Sequence, residues 1–223
     1  MKYLLICLLG IAIQFLFINA EKKEQFVKAV ILKGTASLVF VILGIICSKQ
    51  SVNTDFSSMV IKGLLFGMGG DILLNLRMVF PKKGMIIFLI GILVFLTGHI
   101  MYMIALIPLC EHLVLCLIIG VILTVITLVW IFSKIEAKLP FKIFGVFYLG
   151  AIIIMTTIAA VNFITQPCAN RLIYLVGALL FTASDIVLIL NTFGKESKFS
   201  LRVTNLSLYY LGQLMIGLSL LFI

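Results

Sequence analysis

Charge is scarce in this chain. Of its 223 residues only 11% are Asp, Glu, Lys or Arg, and only 8 of those are acidic. A soluble domain carries about 25% charged residues. The shortfall argues against a soluble protein. Metal-ligand patterns are missing as well. The two histidines, His99 and His112, stand in no HxxxH or HExxH spacing. That removes the usual zinc templates, and neither a metal nor another cofactor is expected. The five cysteines, Cys7, Cys47, Cys110, Cys116 and Cys168, make no CxxC pair and lie in or beside apolar runs. They read as small apolar residues. There is no nucleotide-binding motif and no GxSxG elbow for a serine nucleophile.

Apolar residues fill the space that charge leaves. They make up 63% of the chain, and the mean hydropathy is +1.31. Runs of about 20 apolar residues cross a bilayer as helices, because lipid offers backbone N–H and C=O groups no other partner. Eight such runs are visible. They cover about Lys2 to Asn19, Ala29 to Cys47, Met59 to Leu76, Met85 to Leu106, Leu113 to Phe132, Phe141 to Val161, Leu172 to Phe193 and Leu206 to Ile223. The first resembles a signal peptide, but further apolar runs follow at once, so it is taken as a span. Eight spans use about 160 positions and leave no room for a soluble domain. The expected fold is all-α: one domain over residues 1–223, a bundle of eight transmembrane helices.

The formal charge of +9 would suit a nucleic-acid partner, but its distribution is topological and no nucleic acid is expected. Lys22, Lys23 and Lys28 follow the first span; Arg77, Lys82 and Lys83 the third; Lys134, Lys138 and Lys142 the fifth; Lys195, Lys198 and Arg202 the seventh. Those twelve lie on one side, against four on the other: Lys2, Lys49, Lys62 and Arg171. Lys33, inside the second span, completes the 17. The positive-inside bias puts the twelve in the cytoplasm and both termini outside. A bacterial cytoplasmic membrane is the expected location.

The informative residues are those that lipid should exclude. An ionisable side chain at mid-bilayer costs about 2.5–3.5 kcal/mol on insertion scales, so each one is a functional candidate. Lys33, Asp71, His99 and Asp185 stand out, with Tyr102, Tyr148, Ser184, Tyr209, Tyr210 and Gln213 beside them. Gly63, Gly67 and Asp71 are four apart and share a helix face, and Gly177, Phe181 and Asp185 repeat that spacing. Gly84, Gly91 and Gly98 recur at sevens, near a face carrying Phe95, His99 and Tyr102. Small residues at this spacing allow close helix packing. At 1.5 Å per residue Asp185 lies about 15 Å from Lys195, and Asp71 about 9–16 Å from Arg77 or Lys82, so the two carboxyls fall at comparable depth. His99, about 24 Å from Lys83, lies nearer the outer side. The bland reading is that Lys33 pairs with Asp71 or Asp185 only to neutralise the core, and that Tyr102 and Tyr148 only pack.

Four segments carry a likeness to a known family: GLLFGMGGDILL at 63–74, FLIGILVFLTGHIMY at 88–102, VGALLFTASDIVL at 176–188 and YYLGQLMIG at 209–217. Together they resemble the lysoplasmalogenase family of YhhN-like membrane proteins. The Lys33-Gly34 step resembles a family Lys-Pro, with glycine standing here for proline. The resemblance implies hydrolysis of the vinyl ether bond of a lysoplasmalogen. The products are a fatty aldehyde and a glycerophospho-ethanolamine or glycerophospho-choline. It implies an active-site role for Asp71 and Asp185, with Lys33, His99, Tyr102, Ser184, Tyr209 and Gln213 as supports. The implied partners are the lipid substrate and the surrounding membrane lipids.

The residues suit that chemistry. A vinyl ether hydrolyses when its β-carbon is protonated, giving an oxocarbenium ion that water captures. One group must hold a proton, and another must stabilise the cation and guide water. Two buried carboxyls can divide those tasks, as two carboxyls do in glycosidases. The competing reading is an ion or small-molecule transporter that uses the same Asp and Lys residues as relay sites. No inverted repeat and no proline-broken helix pair supports it.

Overall fold

The computed structural model describes residues 1–223. It is 87% helical and contains no strand. Eight α-helices follow one another: α1 (Lys2–Lys22), α2 (Phe26–Ser48), α3 (Thr54–Val79), α4 (Gly84–Leu106), α5 (Leu113–Phe132), α6 (Leu139–Thr165), α7 (Ala169–Phe193) and α8 (Phe199–Ser219). Short 3₁₀ turns at Pro81–Lys83, Ile107–Leu109 and Leu220–Phe222 complete the element order. All eight α-helices are long and apolar enough to cross a membrane, and the chain is an integral membrane protein.

Several helices outrun the apolar stretches that announce them. The apolar run of α3 begins near Met59, yet the helix starts at Thr54. The Asn53 side chain accepts a hydrogen bond from the Phe56 N–H at 3.0 Å and caps it. α8 starts at Phe199, seven residues before its apolar run. α6 carries Pro140 in its first turn, where a missing N–H costs nothing. Hydropathy reports where lipid begins; caps and turns decide where a helix begins.

The chain groups into two compact units. The first is Met1–Tyr102 with Gly217–Ile223, and the second is Met103–Ile216. In the first, α1 packs on α2 and α2 on α3. The chain's end rejoins this unit. The Val52 N–H donates to the Ile223 carbonyl at 3.0 Å, and a Cβ placed on Gly217 would lie 3.2 Å from the Phe40 carbonyl oxygen. In the second, α6 lies against both α5 and α7. Leu128, Ile131, Ile135, Leu149 and Ile153 form its core, with Leu190 and Phe193 packed on them.

The surface is apolar. Along α5, Val114, Ile118, Val121, Val125 and Val129 are all exposed. Water would penalise that stripe; hydrocarbon does not, because lipid tails are as apolar as the side chains.

Candidate functional site

Four polar side chains from two helices meet in the first unit. Lys33 and Ser37 sit one turn apart on α2; Asp71 and Asn75 sit one turn apart on α3. An i, i+4 spacing places each pair on one face of its helix. The Lys33 Nζ lies 3.1 Å from Asp71 Oδ1 and donates to Asn75 Oδ1 at 3.4 Å. Ser37 Oγ is 2.5 Å from the other carboxylate oxygen, Asp71 Oδ2. All four are buried: Lys33 is 2% exposed, Ser37 0%, Asp71 1% and Asn75 4%. The Phe17 ring of α1 lies 5.7 Å from the Lys33 ammonium, close enough for a cation–π contact. Of the two partners open to Lys33 in sequence, Asp71 is the one it meets.

Ser37 has one proton and two acceptor lone pairs. Its Oγ is also 3.0 Å from the Lys33 carbonyl oxygen. A hydroxyl donates once. When Ser37 donates to the backbone, its lone pairs can accept from Asp71; when it donates to Asp71, the carboxylate gains a hydrogen bond. The hydroxyl can therefore follow the charge on Asp71 without any movement of the helices.

Glycines bring α3 and α4 together. A Cβ on Gly63 would run into the Tyr102 ring, and one on Gly70 into the Phe95 ring. A Cβ on Gly98 would lie 3.1 Å from the Gly63 carbonyl oxygen. The glycine stripes are packing surfaces. His99, 1% exposed, turns an edge toward Tyr102 with ring centroids 6.2 Å apart. Gly34 faces Ile72 of α3; a Cβ there would meet its Cγ1 at 3.3 Å.

The second unit has its own buried carboxyl. Asp185 on α7, 3% exposed, accepts a hydrogen bond from the Tyr148 hydroxyl of α6 at 2.7 Å, through Oδ2. Tyr148 therefore does more than pack. Beside it, Ser184 is held by α8: the Asn205 Nδ2 lies 2.9 Å from both the Ser184 carbonyl oxygen and its Oγ. One turn earlier on α7, the Phe181 ring meets Tyr209 edge-on at 5.2 Å. Gln213 donates to the Tyr209 hydroxyl at 3.4 Å. α7 and α8 approach closely enough that a Cβ on Gly177 would lie 2.8 Å from the Gly212 carbonyl oxygen.

Sequence reasoning singled out Lys33, Asp71 and Asp185 but passed over Ser37, Asn75 and Asn205. Ser37 and Asn75 carried a usable signal, since each stands four residues after an ionisable one. Asn205 carried none, because its partner is 21 residues away. No group of three His, Cys, Asp or Glu side chains is arranged to hold a metal ion.

A family model for the YhhN family matches residues 4–220. The chain belongs to the YhhN family. This is the family of lysoplasmalogenase-like proteins, and the match spans all eight helices. No curated protein and no solved structure matches the chain significantly. In this YhhN-family chain Asp71, His99, Ser184, Asp185 and Gln213 of the four resembling segments are buried within helices long and apolar enough to span a membrane. The two aspartates each sit in a hydrogen-bonded network of their own unit.

Proposed function

We propose that this protein is a membrane-embedded ether hydrolase that cleaves the vinyl ether bond of a lysoplasmalogen, using Asp71 and Asp185 for acid–base work. The observation that carries the reading is the buried Lys33–Asp71 ion pair with Ser37 and Asn75 around it, inside spanning helices of a YhhN-family chain. A packed bundle needs no such group, and lipid penalises one.

The reaction needs a proton on the β-carbon, a counter-charge for the oxocarbenium ion, and water at the α-carbon. The hemiacetal then collapses to a fatty aldehyde and the glycerophospho alcohol. Asp71, already ion-paired with Lys33, suits the charged role. The bilayer supplies the substrate, and the expected setting is a bacterial cytoplasmic membrane with the twelve basic residues inside.

The test is aldehyde release from lysoplasmalogen by purified protein in detergent. Asp71→Asn and Asp185→Asn should each lower turnover by at least about 100-fold, the lower bound for losing general acid–base catalysis. Size-exclusion profiles should remain those of the unaltered protein. Turnover retained in both variants overturns the reading. Solute flux into proteoliposomes without aldehyde would replace it with the transport reading, which uses the same Asp and Lys residues.

A further inference from the structure

The turn between α4 and α5 holds two thiols face to face. Cys110 ends the 3₁₀ turn Ile107–Leu109. Cys116 lies in the first turn of α5, its N–H donating to the His112 carbonyl at 3.0 Å. Their sulfurs are 3.4 Å apart. Cys116 is fully buried, while Cys110 is partly exposed. A disulfide needs about 2.05 Å between sulfurs, so the two sulfurs must approach by about 1.4 Å to close it.

Two observations decide what such a pair is for. A metal site would need further ligands, and no set of three is assembled anywhere in the chain. The turn also carries Glu111 and no Lys or Arg, on the side opposite the four basic turns. The positive-inside bias is expected to place that side outside the cytoplasm, where disulfides form and persist.

We propose that Cys110 and Cys116 form a disulfide that staples the α4–α5 turn to the first turn of α5 on the extracytoplasmic face. The oxidant is a disulfide-bearing thiol oxidoreductase. The Cys110 thiolate attacks the oxidant's disulfide and releases one of its sulfurs as a thiolate. Cys116 loses its proton and attacks Cys110 Sγ, which expels the second thiolate. Two electrons end in the oxidant's dithiol, and the two protons pass to it or to water. The bridge closes a ring over residues 110–116. It fixes the segment directly after Leu106, whose carbonyl accepts from Asn162 Nδ2 of α6 at 3.1 Å. The bridge does not depend on the ether-hydrolase reading.

The experiment uses full-length protein in membranes, quenched in acid and alkylated with N-ethylmaleimide in denaturing detergent without reductant, then digested and weighed. Cys7, Cys47 and Cys168 should be alkylated. The peptide with Cys110 and Cys116 should be unalkylated, two mass units lighter than its dithiol, and doubly alkylated after dithiothreitol. In Cys110→Ser, Cys116 should become alkylatable without reductant. Alkylation of both cysteines in the unaltered, unreduced protein overturns the proposal. Copper-phenanthroline treatment then shows why: failure to close the bridge puts the fault in the geometry, and closure puts it in the compartment.

Discussion

Lys33 is a cation with almost no access to water, and its neighbours explain how the protein tolerates it. Asp71 balances its charge, and Asn75 offers an acceptor. A buried pair is costly to break from one side, because the remaining charge is stranded; removal of one partner destabilises by about 3–5 kcal/mol. Lys33→Met should lose stability of that order in detergent thermal unfolding and lose aldehyde release. The double variant Lys33→Met/Asp71→Leu should recover most of the stability and none of the activity. Recovery of both would make the pair a packing device. At the same scale, Ser37 decides between the Lys33 carbonyl and Asp71 with a single proton, so its hydroxyl registers the state of that carboxyl group.

Between helices, glycine sets the distances. Gly177 of α7 and Gly212 of α8 each face the other's carbonyl oxygen, and a Cβ on either would meet it at 2.8 Å. Backbone atoms cannot rotate away as a side chain can, so Gly177→Ala must part the two helices. It should cost about 1–3 kcal/mol, the usual range for overpacking. At Gly145 of α6 an added Cβ would have nothing within 4 Å. Gly145→Ala should be neutral or stabilising by up to about 1 kcal/mol through helix propensity. Matched thermal melts of the two variants check this, and equal melting temperatures would sink it. The contrast matters for the site, since Ser184 and Asp185 ride on the same helix as Gly177.

For the whole molecule, the charge count yields a direction in the membrane. Alkaline phosphatase fused after Ile223 should be active and a green fluorescent protein fused there should be dark, because both termini are expected outside. A fluorescent fusion would reverse the assignment and place the α4–α5 turn in the cytoplasm, where the Cys110–Cys116 bridge should not form. Buried polar residues within apolar helices and an apolar exterior follow from one rule. Lipid accepts apolar side chains everywhere, and polar ones only where protein surrounds them.

The number and order of the helices were legible in the sequence because hydropathy is a local property, summed over about 20 residues of one chain segment. The buried ionisable residues were legible for the same reason: Lys33, Asp71, His99 and Asp185 stand out against apolar neighbours. Helix ends were not, because Asn53 caps α3 through a hydrogen bond that hydropathy does not register. Partners were not legible either. Lys33 could face either aspartate, Tyr148 looked like packing, and the cysteines looked inert. Only the tertiary structure set Lys33 against Asp71 and Tyr148 against Asp185, and drew Cys110 and Cys116 to 3.4 Å. Contact between side chains depends on the rotation of each helix about its axis. That rotation is set by how glycines such as Gly63 and Gly98 let neighbouring helices close. Scarcity of charge thus determined where the chain lives; the packing of its helices decided what its few charges touch.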